Sequence, residues 1–131
     1  MFVVVDTNIL VSSLWSRDGE PARFMALVVG GVLTPCWDSR IMNEYREVLL
    51  RPKFRFDAGE VDDLLSLIRH EGLSVLPTPL DVAFSDVEDR KFYEVAVFCN
   101  ALLVTGNVRH YPNDGVAITV GEFFRRTRLP G

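Results

Sequence analysis

Apolar positions along this chain fall into two alternating rhythms. Residues 2–5 are a β-branched run with no polar interruption, the pattern of a strand buried on both faces. The run stops at Asp6-Thr7-Asn8, after which Ile9, Leu10 and Leu14 recur at helical spacing. A second helix is predicted from Glu20-Pro21, where proline suits a first turn, to Gly30-Gly31. Val32 and Leu33 open a second predicted strand, which leads through Thr34-Pro35 to Asp38-Ser39. Ile41, Tyr45, Val48 and Leu49 then mark a helix that Pro52 ends. Val61, Leu64, Leu65 and Ile68 mark another, closed near Gly72, and residues 73–76 read as a third strand.

The second half repeats the alternation. Ser85 followed by Glu88 reads as a capping box, so a helix is expected to start there and turn Phe92, Val95, Ala96 and Cys99 inward. Residues 101–104 form a predicted fourth strand ending at Thr105-Gly106-Asn107. After a turn at Pro112-Asn113-Asp114-Gly115 come a fifth strand over 116–120 and a terminal helix over 122–126. No repeat, low-complexity stretch or linker interrupts residues 1–131, so a single domain is expected. Strands alternating with helices imply an α/β fold, a three-layer α/β/α sandwich on a central parallel sheet of about five strands. Such sheets place their crevice beyond the carboxyl ends of the strands, at a topological switch point. That rule directs attention to Asp6, to the segment after Val32-Leu33, and to Thr105-Gly106-Asn107.

Composition narrows the choice of function. With 131 residues, 48% of them hydrophobic, the chain can build a core without covalent staples. Cys36 and Cys99 therefore need not pair, and they suit a reducing compartment. No apolar run approaches the roughly 20 residues that span a bilayer, and the first residues lack a basic signal-peptide region. The expectation is a cytoplasmic protein without a membrane segment. Its 18 acids outnumber its 14 cations, which is no footprint of a stable nucleic-acid binder. Nucleic acid remains admissible as a transient substrate if a metal offsets the local charge.

Several acids lie where chemistry is possible. Asp6 ends the first strand, and alone it reads equally well as a helix N-cap. Asn8 is either helix-end filler or a group that orients a carboxylate or water. Glu44 lies at the edge of the apolar stripe of its helix, where a carboxylate needs a cation or several donors. Asp86, Glu88 and Asp89 share a first helical turn, where acids suit the positive helix end. Asp89 is the least explained of the three, because it continues the inward face three residues before Phe92. His70 and His110 carry little signal, and no His/Cys spacing suggests zinc. No phosphate-binding glycine loop and no serine-hydrolase elbow occurs.

Taken together, these segments resemble the PIN-domain family, specifically the bacterial and archaeal (VapC-like) toxins of toxin–antitoxin pairs. The carrying pieces are Val3-Val4-Val5-Asp6-Thr7-Asn8-Ile9-Leu10 and Asn43-Glu44-Tyr45-Arg46-Glu47-Val48-Leu49, followed by Asp86-Val87-Glu88-Asp89-Arg90-Lys91-Phe92 and Leu103-Val104-Thr105-Gly106-Asn107. The resemblance implies Asp6, Glu44 and Asp89 as the acids of a Mg²⁺- or Mn²⁺-dependent endoribonuclease acting on single-stranded RNA. Asp86 would help hold metal, Thr105 would supply a hydroxyl, and Asn8 would orient water or phosphate. A small antitoxin and a second copy of the chain are the implied partners. One departure stands out: after Thr-Gly the family usually carries an acid, and here Asn107 is an amide. That leaves a second reading, a PIN module that binds RNA or protein without cutting. A haloacid-dehalogenase phosphatase also begins with a strand and an aspartate. It needs a second aspartate two positions later, where Asn8 stands. Arg17, Arg40, Arg46 and Arg109 are candidates for following an RNA backbone, each equally a solvated surface charge. Arg125, Arg126 and Arg128 form a basic tail with the same two readings.

Overall fold

The protein is described by a computed structural model over residues 1–84 and 86–130. The chain opens with β1 (Phe2–Val5) and α1 (Thr7–Trp15), then α2 (Glu20–Val29), β2 (Thr34–Trp37) and α3 (Ser39–Leu49). It continues through α4 (Ala58–Glu71), β3 (Leu73–Ser74), α5 (Arg90–Cys99), β4 (Leu102–Val104), β5 (Ala117–Ile118) and α6 (Val120–Thr127). The five strands form one sheet in the order β3-β2-β1-β4-β5, and every pairing is parallel. Helices cover both faces, giving the expected three-layer α/β/α architecture. β1 is the central strand, with Val3, Val4 and Val5 almost completely enclosed. This is the environment its unbroken apolar run requires. The strand order turns back between β1 and β4, so the switch point lies where both end, at Asp6 and Thr105.

Some boundaries differ from expectation for local reasons. β2 starts at Thr34 rather than Val32, because the N–H groups of Val32 and Leu33 both return to the Leu27 carbonyl at the end of α2. Gly31, at φ 80°, makes that reversal possible. The α5 boundary also moves. Ser85 lies outside the described residues, Val87–Asp89 forms a 3-10 turn, and the α-helix begins at Arg90. Asp86 caps that turn, accepting from the Glu88 N–H at 2.9 Å. The edge strands β3 and β5 have two residues each, shorter than their apolar runs, and Leu76 lies exposed beyond β3. Among the described residues no helix is long and apolar enough to cross a membrane.

Candidate active site

Asp6 takes the backbone position of an N-cap for α1, yet its side chain makes no capping bond. The carboxylate is turned into the crevice instead, where Oδ2 accepts from Thr105 Oγ1 at 2.8 Å and from the Tyr111 hydroxyl at 2.9 Å. Burial raises the Asp6 carboxyl above its ordinary range and the charge on Glu44 adds to the rise, while those two hydroxyls oppose it. Asn8, two residues further, accepts from the Gly106 N–H at 3.1 Å through Oδ1 and so fixes the loop after β4.

Glu44 reaches the same crevice from the middle of α3, and both its oxygens are engaged. Oε2 accepts from the Thr7 hydroxyl, and Oε1 lies 2.7 Å from the Lys91 ammonium. Tyr45, its fully buried neighbour, donates to the Val5 carbonyl and locks α3 against the end of β1. Asp89 precedes α5 with Oδ2 buried and without a hydrogen-bond partner; His110 Nδ1 lies 3.3 Å from it. Burial raises the Asp89 carboxyl, followed by the charges on Asp6, Asp86 and Glu44, against a lowering contribution from His110. Asp89 thus lies in the field of the other three acids. Asp86 itself stays exposed, capping its 3-10 turn.

Thr105 is fully buried and is the hub of the loop: it donates to Asp6 and accepts from the Asn107 N–H at 3.0 Å. Asn107 lines a hollow of about 500 Å³ with Gly106, Val108, Arg109, His110 and Thr119. Of the candidate arginines, only Arg109 borders this hollow. Arg17 pairs with Glu60 at 2.6 Å between α1 and α4. Arg40 is committed to the buried carboxylates of Asp38 and Glu94, at 2.7 and 2.8 Å. Arg46 points to solvent from α3. The basic tail is partly neutralised, since Arg125 and Arg126 both pair with Glu122.

Four further groups belong to this crevice: Thr7, Lys91, His110 and Tyr111. A signal existed only for Lys91, a lysine in the first turn of a helix, where the positive helix end disfavours it. Tyr111 and His110 reach Asp6 and Asp89 across 105 and 21 residues (110 minus 89), from a loop whose path no local pattern predicts. Among the described residues, no three His, Cys, Asp or Glu side chains are drawn together as a ready metal cage.

Residues 2–109 match the family model described as PIN domain, which is most of the chain. The chain belongs to the PIN-domain family. A relative from Methanocaldococcus jannaschii, the uncharacterized protein MJ1680, is 28% identical over 109 residues, covering 80% of this chain and 70% of its own length. Among solved structures, this PIN domain is similar in fold to VapBC2 from Rickettsia felis bound to a DNA fragment from their promoter. That match has a TM-score of 0.55 at 15% identity and covers 83% of this chain and 90% of the other.

Proposed function

We propose that this PIN domain is a metal-dependent endoribonuclease cutting single-stranded RNA, the toxin of a toxin–antitoxin pair. PIN domains are generally nucleases, and the similar fold of a VapBC2 complex supports an antitoxin as partner. A homodimer and a cytoplasmic setting complete the proposal. The observation that carries it is the cluster of under-neutralised carboxylates at the switch point, above all Asp89 Oδ2, which is buried and accepts no hydrogen bond, with His110 Nδ1 3.3 Å away. A buried oxygen of that kind is costly unless a cation or donor reaches it. The available donors are all hard oxygens, which fit Mg²⁺ or Mn²⁺. Such ions keep several waters and need only one or two direct carboxylates, so a loose cluster suffices where a closed cage is missing. In this reading Asp6, Asp89 and Glu44 hold the ion, with Asp86 adding charge from the rim. A bound ion would supply an activated water and offset charge on the scissile phosphate.

The chain's own groups prepare that chemistry. Thr105 and Tyr111 occupy Asp6 Oδ2 and set the plane of the carboxylate, and Thr7 holds Glu44. Asn8 fastens Gly106, which carries Asn107, Arg109 and His110 to the rim of the hollow. Arg109 there is suited to an RNA phosphate.

The test is incubation of the pure protein with single-stranded RNA and Mn²⁺ or Mg²⁺ beside the Asp6→Asn variant. Cleavage by the wild type and a loss of at least about a hundredfold in Asp6→Asn are expected, the scale of removing one group that acts only in the transition state. If both proteins bind RNA and leave it intact, the second reading holds, a non-cleaving PIN module. The neutral amide of Asn107 favours that reading.

A further inference from the structure

Lys91 is a cation in an improbable place. It is the second residue of α5, close to the positive end of the helix, and only 6% of its surface is exposed. Buried lysines occur almost only when paired. Its ammonium meets Glu44 Oε1 at 2.7 Å, contacts Glu88 Oε2 at 3.2 Å and donates to the Glu88 carbonyl. Its Nζ also sits over the Phe92 ring, 5.2 Å from the ring centre. Glu88 is exposed, so water screens that pair. The Glu44 contact is the enclosed one, and the charge of that carboxylate helps raise the Asp6 and Asp89 carboxyls.

We propose that Lys91 is the resident counter-ion of the acid cluster: it fixes and neutralises Glu44, and so limits the cluster to one divalent cation. This role rests on the metal-binding reading above and specifies it. Each Glu44 oxygen already carries one partner, Thr7 on Oε2 and Lys91 on Oε1, so it can share only its remaining lone pairs with an ion, whereas Asp89 Oδ2 accepts no hydrogen bond and has His110 Nδ1 3.3 Å away. A second divalent ion would have to displace an ammonium that is tethered to the backbone and cannot diffuse away. A merely structural ion pair between α3 and α5 predicts something else: loss of Lys91 would lower stability equally with and without metal.

The experiment uses the full chain as wild type, Lys91→Met and Lys91→Arg. Mn²⁺ is titrated calorimetrically, and melting is followed in chelator and in saturating Mn²⁺. Wild type and Lys91→Arg are expected to take up one equivalent. Lys91→Met should bind Mn²⁺ about tenfold more tightly, equivalent to roughly 1.4 kcal/mol, or take up a second equivalent. Its melting temperature should fall in chelator and recover in Mn²⁺. The pair Glu44→Gln/Lys91→Met guards against collapse of the single variant, because it removes both charges together. Its Kd should lie within about threefold of Glu44→Gln alone, since the lysine acts through the glutamate. Lys91→Met with wild-type affinity, stoichiometry and metal-induced melting shift overturns the role of Lys91 alone. A wild-type protein that takes up no Mn²⁺ overturns the metal reading with it.

Discussion

Helices α3 and α5 carry two carboxylate networks, and the contrast between them separates scaffold from site. In the first, Asp38 and Glu94 are both buried, and all four of their oxygens are satisfied. Asp38 accepts from the Ile41 N–H at 3.0 Å and from Arg40 Nε and Nη2 at 2.9 and 2.7 Å. Glu94 accepts from Arg40 Nη1 at 2.8 Å and from the Leu80 N–H at 2.7 Å. In the second, Asp6, Glu44 and Asp89 have Lys91 on Glu44 and His110 Nδ1 3.3 Å from Asp89 Oδ2, an oxygen that accepts no hydrogen bond. The closed network has nothing to offer a ligand, whatever its charge. The open one holds charge in reserve, at a cost in the stability of the free protein.

The comparison breaks most visibly at Arg40. Replacing it by Met strands two buried carboxylates, so unfolding in urea should show a loss of about 2–3 kcal/mol, discounted because the guanidinium is 47% exposed. A loss below about 0.5 kcal/mol would mean that the closed network is not holding α3 to α5. RNA cleavage per folded molecule should change little, because Arg40 is committed to the scaffold.

The open network is sharpened at Asn107. Asn107→Asp adds a charge beside the crevice, and after desolvation and repulsion a net gain of about 1–2 kcal/mol in Mn²⁺ binding is expected, roughly five- to thirtyfold. Calorimetry that finds neither tighter binding nor a further equivalent would place residue 107 away from the metal.

The smallest effect is on pH dependence. Asp6 and Asp89 are raised above the ordinary 3.8, so the folded chain holds those protons more tightly than the unfolded one. Their contribution to stability is complete below 3.8 and is lost as pH rises through the raised folded values. In chelator, the urea midpoint should therefore carry a component that falls with rising pH. Asp6→Asn should remove much of that component while Arg40→Met keeps it. A pH profile identical in wild type and Asp6→Asn would deny the crowding.

Legibility followed the range of the interactions. Val3, Val4 and Val5 announce a central strand because burial on both faces leaves no alternative pattern. Ile41, Tyr45 and Leu49 give the buried face of α3 for the same local reason. β2 is misread at its start because Val32 serves the end of α2, and its strand runs through Pro35, a residue that pattern reading keeps out of sheets. Asp6, Glu44, Asp89 and Thr105 stand out from motifs; the fold bonds Thr105 to Asp6 and sets Asp6 and Glu44 where their charges raise the Asp89 carboxyl, without gathering three acids, histidines or cysteines into a cage among the described residues. Tyr111 and His110 were missed, because their contacts depend on how residues 106–116 return across the sheet edge, which no periodicity encodes.

The position of β1 has a consequence for how the protein is born. The strand synthesised first is the one that must be flanked on both sides, by β2 and by β4. Asp6 waits 99 residues for the hydroxyl of Thr105 and 105 residues for that of Tyr111. Contacts so distant in sequence close late, since the entropy of the intervening loop must be overcome first. A nascent chain that has emerged only through α4 therefore has neither a finished sheet nor an oriented Asp6. It leaves the β4 side of β1 as an unpaired edge. An oriented Asp6 carboxylate therefore arrives only with the segment from β4 to Tyr111, and a chain cut short before β4 lacks it.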